Sequence, residues 1–373
     1  MTPTLFDPIS IAGRALRSRL FRSATAERLA MKSAEEARAL GASYAAMARS
    51  GVGLIVTGHI AVDPSGKAGP AMPMLNDEAS AGRWAQAFAA VHCEGGAVCP
   101  QLNHAGGRAK LEVVTQTAGA RLFNGPVCVS PLPDRPKDPL DGQLLTDAMI
   151  ESLVAAYAHA ARLAQQAGAD AVQIHAAHGY LGTQFLSPVS NRRSDRWGGT
   201  IENRARFLRE VTRAIRAATG PGFPVGMKLG ACDEDAAGLT LEDAVQCARW
   251  LQEEGLDFIE ISGAFRPDII ARNVAPGKNE AYYLAYARRF KEALTIPVIA
   301  VGGFRSLKAM NAALESGACD AVAVSRPLIR QPDLLQALRA GRSADCVSCN
   351  RCLLQRDPGP TQCRAPKRPA PAA

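Results

Sequence analysis

The sequence predicts a (β/α)8 barrel. Eight short apolar runs alternate with helical stretches along the chain. Each run is rich in Val, Ile or Leu, as strands covered on both faces are. The length, 373 residues, suits either two medium domains or one large barrel with insertions. An open doubly wound sheet is the alternative, because eight parallel strands need not close.

The strands are read at residues 20–22, 53–56, 97–102, 171–175, 225–229, 258–262, 298–301 and 321–324. A helix at 34–50 is Ala-rich and stops at Gly51. The helix at 147–167 opens after Thr146, a capping residue, and closes at Gly168. Further helices are expected at 201–218, 241–254, 280–294 and 307–316. Residues 113–141 are Pro-rich and aperiodic, and read as an excursion after the third strand that carries a small hairpin. Residues 1–340 form the expected barrel, and 341–373 a Cys-rich extension.

Composition excludes several classes. Hydrophobic residues make up 47% and charged residues 21%, an ordinary globular balance. No apolar run reaches the roughly 18 residues of a membrane span. The net charge is +8, with no interleaving of basic and aromatic residues, so a nucleic-acid partner is not expected. The first ten residues lack a basic region followed by an apolar core, so a cytoplasmic location is expected. Of ten cysteines, Cys93, Cys99, Cys128, Cys232, Cys247 and Cys319 are scattered and read as buried small apolar residues. Cys346, Cys349, Cys352 and Cys363 cluster, which in this setting points to metal rather than disulfides.

Barrel chemistry sits at the C-terminal ends of strands. There the sequence places Ser23-Ala24-Thr25-Ala26, Gly58-His59, Gln101, His175-x-x-His178-Gly-Tyr180, Lys228, Gly302-Gly303 and Ser325-Arg326. A glycine pair before a helix lets a phosphate approach backbone, and Arg326 adds a fork of donors. Ordinary glycine turns and a surface Arg would look the same one at a time. The Gln101 amide both donates and accepts, and Lys228 is a cation at mid-rim. Together with the phosphate loops they suggest FMN. Two neutral imidazoles can donate to an oxygen that gains charge, and a phenol can deliver a proton. The histidine pair has no third ligand at metal-like spacing. His104 is read as a supporting rim residue, His59 carries no assigned role, and His92 and His159 as helix-surface residues.

Residues 174–200 (IHAAHGYLGTQFLSPVSNRRSDRWGGT), Glu202-Asn203-Arg204, Arg22-Ser-Ala-Thr25, Gln101-x-Asn-His-Ala-Gly106 and Val301-Gly-Gly303 resemble the old yellow enzyme family. The resemblance spans about residues 5–335. It implies a TIM barrel that binds FMN non-covalently and reduces activated alkenes with NADH or NADPH. It places Ser23, Ala24, Thr25 and Ala26 along the flavin, Gly58 and Gln101 against the ring, and Lys228 near N1 and the C2 oxygen. Gly302, Gly303, Ser325 and Arg326 would hold the phosphate. His175 and His178 would bind the substrate carbonyl or the nicotinamide amide, and Tyr180 would donate the proton. Ala26 stands where many members carry Thr or Cys, Lys228 where Arg is commoner, and Ser325 where Gly is usual.

The spacing Cys346-x2-Cys349-x2-Cys352-x10-Cys363 is similar to the iron–sulfur segment of 2,4-dienoyl-CoA reductases and trimethylamine dehydrogenase. Four thiolates suit a [4Fe–4S] cluster or zinc. The expected activity is hydride transfer from NAD(P)H through FMN to the C=C of an α,β-unsaturated carbonyl compound. The alternatives are an oxidative dehydrogenase or demethylase, an electron-transfer subunit serving a redox partner protein, and a lyase using Lys228 as a Schiff-base amine. Homo-oligomerisation is expected.

Overall fold

A computed structural model describes residues 2–130, 142–233, 235–264, 273–353 and 360–366. The eight expected strands all form, and they close. They are β3 (Leu20–Arg22), β4 (Leu54–Ala61), β5 (Val98–Asn103), β8 (Val172–Ala176), β9 (Val225–Gly230), β10 (Phe258–Ser262), β11 (Val298–Val301) and β12 (Ala321–Val324). Every neighbouring pair is parallel, and β12 returns to β3 with Val322 opposite Leu20 and Val324 opposite Arg22. That last pairing rules out the open sheet.

The first element of the fold was not legible in the sequence. An antiparallel hairpin, β1 (Ile9–Ile11) and β2 (Arg14–Leu16), precedes the barrel. Its Ile9, Ile11 and Leu16 pack on Phe21, Leu54, Phe258, Ile299 and Ala323 inside the barrel. The hairpin therefore plugs the N-terminal mouth and leaves the opposite rim for chemistry. Three-residue strands are too short for a period-2 pattern to show.

Helices cover the outside: α1 (Ala34–Ser50), α2 (Glu78–His92), α3 (Leu111–Gln116), α4 (Asp147–Gln166), α5 (Leu181–Leu186), α6 (Ile201–Thr219), α7 (Leu241–Glu253), α8 (Leu284–Lys291), α9 (Leu307–Glu315), α10 (Arg326–Arg330) and α11 (Leu334–Arg339). Their ends follow local rules. Ser33 accepts from Glu36 N at the start of α1, and Gly51 ends it at φ 98°. Thr146 caps α4 and Thr240 caps α7 in the same way.

Three expectations are corrected. The helix expected at 280–294 is only Leu284–Lys291. Glu280 instead reaches the start of α9, where its carboxylate accepts from Ser306 N at 2.8 Å and Ser306 Oγ at 2.8 Å. The excursion after β5 holds α3, and its two short strands, β6 (Val127–Cys128) and β7 (Gln143–Leu144), run parallel rather than as a hairpin. Residues 131–141 of that excursion lie outside the described residues. Cys93 is exposed and Cys232 half-buried; Cys99, Cys128, Cys247 and Cys319 are buried as expected. Among the described residues no helix is long and apolar enough to cross a membrane.

Candidate active site

Two strand ends build the polar rim. In β4 the register with β5 slips between Val56 and His59, and Thr57 Oγ1 accepts from Gln101 N at 3.1 Å. This irregularity carries His59 to the mouth, where Asn103 Nδ2 lies 3.0 Å from its Nδ1. At the end of β8, His175 is 3% exposed. The chain then turns through His178 (φ 60°) and Gly179 (φ 75°) into Tyr180 at the head of α5. A non-glycine residue in the left-handed region costs energy and needs support. Here Arg108 Nη1 donates to the His178 carbonyl at 2.9 Å, and the His178 ring Nε2 meets Ser262 Oγ of β10 at 2.9 Å.

The turn brings three of the expected residues together. Ring centres of His175 and His178 are 5.1 Å apart, and His175 and Tyr180 5.2 Å. His59, which the sequence left without a role, joins them at 5.1 Å from Tyr180 and 6.1 Å from His175. The sequence placed it at a strand end but carried no pattern that gave it a role. His104, expected to support the rim, lies fully buried behind it. Its Nδ1 accepts from Gly106 N at 3.0 Å, and its Nε2 faces Ser65 Oγ at 3.2 Å.

Burial dominates the protonation states. Desolvation lowers the His178 imidazole to about 3 and His59 to about 4, with Lys228 adding to the effect at His178. Desolvation drives His175 well below the ordinary range, and His178, His59 and Lys228 reinforce it. Desolvation raises the Tyr180 phenol. At neutral pH the site therefore holds uncharged imidazoles and a protonated phenol.

Beneath the rings lies a connected set of side chains. Lys228 Nζ donates to Ser23 Oγ at 2.8 Å and Glu260 Oε1 at 2.9 Å. Gln173 Nε2 donates to Glu260 Oε2 at 3.0 Å, and Gln101 Nε2 to Gln173 Oε1 at 2.7 Å. Glu260 and Gln173 were not singled out from sequence, since each sits mid-strand among apolar residues. A cavity of about 170 Å³ opens above this set, lined by Ala24, Thr25, Ala26, the three histidines His59, His175 and His178, and Tyr180, Gln101 and Lys228. A larger hollow of about 930 Å³ lies between residues 107–112 and 122–126. The smaller one is where the buried imidazoles, phenol and ammonium converge, so we place the chemistry there.

The loop after β3 is locked from behind. Glu27 pairs with Arg22 at 2.8 Å, accepts from Tyr44 Oη, and accepts from Gly58 N at 2.7 Å. A Cβ on Gly58 would land inside contact distance of Glu27 Oε2 and of the Thr25 carbonyl. Thr25 Oγ1 lies 2.6 Å from Ser325 Oγ, tying this loop to the end of β12. At the other corner Gly302 (φ 130°) and Gly303 (φ 84°) adopt conformations closed to most side chains. The Tyr282 ring rests on both, within 3.2 Å of where their Cβ atoms would be.

The C-terminal extension docks onto this corner. Arg326 Nη1 donates to Asn350 Oδ1, Arg305 Nη2 to Ser348 Oγ at 2.8 Å, and Arg305 Nε to the Cys346 carbonyl at 2.9 Å. Thr361 N donates to the Glu27 carbonyl at 2.8 Å. Cys346, Cys349, Cys352 and Cys363 all line one small cavity beside Arg326 and Arg330. Arg330 Nη1 approaches Cys363 Sγ at 3.5 Å. Among the described residues, however, no three Cys, His, Asp or Glu side chains are grouped closely enough to hold a metal ion. The expected metal site is thus gathered but not assembled.

The residues present fit FMN together with a second ligand on two observations, the first bearing on the ligand and the second on the flavin. The His175 Nδ1 is buried and has no hydrogen-bond partner, an atom left for a ligand. Gln101 directs its amide N–H₂ toward Gln173, giving it one N–H, and lines the cavity, which leaves its carbonyl oxygen for a donor on a ring.

A sequence model described as the NADH:flavin oxidoreductase / NADH oxidase family matches residues 4–345, ending just before Cys346. An "NADH oxidase" of Thermoanaerobacter brockii is 32% identical over 93% of this chain and 53% of its own length. An "NADPH dehydrogenase" of Bacillus cytotoxicus is 34% identical over 89% of this chain and 91% of its own length. The chain thus spans about half of the first relative and nearly all of the second. Among solved structures, an old yellow enzyme homologue from Zymomonas mobilis superposes with a TM-score of 0.74 at 26% identity, covering 91% of this chain and 93% of that one.

Proposed function

Because the chain belongs to the NADH:flavin oxidoreductase / NADH oxidase family, we propose that it is an FMN-dependent oxidoreductase. Its reductant is NADH or NADPH, and its acceptor is the C=C of an α,β-unsaturated carbonyl compound. FMN, when bound, supplies the hydride chemistry. The observation that carries the reading is the unpartnered Nδ1 of buried His175, beside His178 and Tyr180 and above Lys228.

The chain's own residues divide the work. Gln101 and Lys228 would hold the polar edge of the ring, and Ser23, Ala24, Thr25, Ala26 and Gly58 would line it. Gly302, Gly303, Ser325 and Arg326 would hold the phosphate. His175 and His178 donate to the carbonyl oxygen of the substrate and draw electrons from its alkene. Neutral imidazoles do this without placing a charge where an uncharged ligand must bind. Ser262 holds the His178 ring in place. Tyr180, protonated, delivers a proton to the carbon next to the carbonyl.

Lys228 as a Schiff-base amine is disfavoured by its ion pair with Glu260 and its bond to Ser23. The spacing of the four cysteines keeps a second cofactor, a [4Fe–4S] cluster or zinc, as a proposal, and they line one cavity, although among the described residues no three are grouped closely enough to hold a metal. No step above passes through it.

The test is anaerobic purification followed by a visible spectrum, then addition of NADH or NADPH, then of an enone. A yellow protein that bleaches with the nucleotide and recovers with the enone is expected. A colourless chain that takes up no added FMN overturns the reading. A chain that bleaches but is not reoxidised by any enone overturns the substrate class alone, whereas a yellow chain that neither nucleotide bleaches favours the oxidative dehydrogenase reading.

A further inference from the structure

We propose that Glu260 is a positioning residue: acting through Gln173, it sets which end of the Gln101 amide faces the ring, and it holds Lys228 against the same edge. The proposal rests on the flavin reading above.

The argument is one of polarity. Glu260 Oε1 receives Lys228 Nζ at 2.9 Å and Ser23 Oγ at 2.6 Å, and Oε2 receives Gln173 Nε2 at 3.0 Å. A carboxylate so surrounded by donors can only accept. Gln173 must therefore turn its amide N–H₂ toward Glu260 and its carbonyl toward Gln101. Gln101 must then donate at 2.7 Å, and its own carbonyl oxygen is left toward the cavity. The two ends of an amide have nearly the same shape, so the hydrogen-bond network alone decides the orientation. Gln101, Gln173 and Glu260 are each 1% exposed, so a mismatched donor or acceptor between them is costly.

The outcome is an edge that presents one neutral acceptor and one ammonium. That pair suits an imide, whose N–H donates and whose neighbouring carbonyl accepts. Glu260 also offsets part of the Lys228 charge felt by the ring. Removing that offset favours the reduced ring, which gathers negative charge.

Two measurements read this without turnover. The first is the affinity of the apoprotein for FMN and for 3-methyl-FMN, which lacks the imide N–H. The second is the midpoint potential of bound FMN. The wild-type chain should prefer FMN by about tenfold, the worth of one hydrogen bond in a buried site. Glu260→Gln should erase most of that preference and raise the potential. Gln173→Leu severs the link to Gln101 but leaves the Lys228–Glu260 pair, so it should erase the preference and leave the potential near wild type. Equal preference in wild type and Gln173→Leu overturns the relay, and this variant decides the matter even if Glu260→Gln does not fold. An unchanged potential in folded Glu260→Gln overturns the charge offset. A wild-type chain that binds neither flavin overturns the flavin reading itself, a result distinct from one that binds both equally, which overturns the relay alone.

Discussion

The ring Nε2 of His178 stands 2.9 Å from Ser262 Oγ, so one residue of the β8 turn is anchored by the last residue of β10. The His178 backbone sits at φ 60°, a conformation that costs energy and that the turn alone would not hold. Ser262→Ala removes the anchor without touching the cavity floor. Affinity for a carbonyl ligand should fall by about 1 kcal/mol, roughly fivefold, while FMN content stays that of the wild type. Ligand titration of the flavin spectrum measures both.

Tyr180→Phe keeps the ring beside His59 and His175 and removes the proton. Reoxidation by an enone should slow by about 10²–10⁴-fold, with reduction by NAD(P)H nearly unchanged. Stopped-flow measurement separates the two half-reactions. Equal loss in both would show that Tyr180 is not the donor. His175→Ala should weaken carbonyl-ligand binding, since it removes a donor that no protein group occupies.

The site histidines stay neutral and the phenol protonated across the neutral range. The enone half-reaction should therefore show no inflection near pH 6.5, and a clear inflection there would contradict the burial argument. His104 makes a stability prediction. Burial lowers it from 6.5 to about 3, so the unfolded chain binds a proton that the folded chain refuses. Stability is thus full above pH 6.5 and is lost as pH falls toward about 3, by up to about 1.4 kcal/mol per pH unit. Thermal unfolding across that range should show the loss, with a shallower slope in a folded His104→Asn protein.

Gly58→Ala should damage the loop after β3. Its Cβ has no room beside Glu27 and the Thr25 carbonyl. Displacing Glu27 would strain its bonds to Arg22, Tyr44 and the residue 58 backbone. A loss of about 1–3 kcal/mol and weaker FMN retention are expected, readable by thermal unfolding and by gel filtration at low flavin concentration.

Metal analysis of anaerobically purified protein tests the extension. About four iron atoms per chain indicate a cluster, and about one zinc a tetrahedral site. Cys352→Ser should deplete either. Metal-free protein with reactive thiols would show that the gathered cysteines hold none.

The barrel was readable because strands covered on both faces must be continuously apolar, and eight such runs cannot be hidden by local context. His175, His178, Tyr180, Gln101 and Lys228 were readable because they end those runs. His59 stood at the same rim, but its place beside Tyr180 was not readable, since a slipped register decides where β4 stops. The plug hairpin was not, since its strands are too short to show a period. Closure itself depends on β12 meeting β3 across the chain, a contact that leaves no mark in either segment.

Sequence alone thus determined the order of elements and the chemistry available at each strand end, because both are written in local residue pattern. Tertiary structure decided which way that chemistry points. The polarity of Gln101 and the anchoring of His178 depend on groups about 70 to 160 positions away, on neighbouring or facing strands, and the neutrality of the imidazoles on burial inside the closed barrel. No local rule couples residues so far apart; only the closed cylinder, by excluding water between them, makes each partner's donor or acceptor character binding on the next.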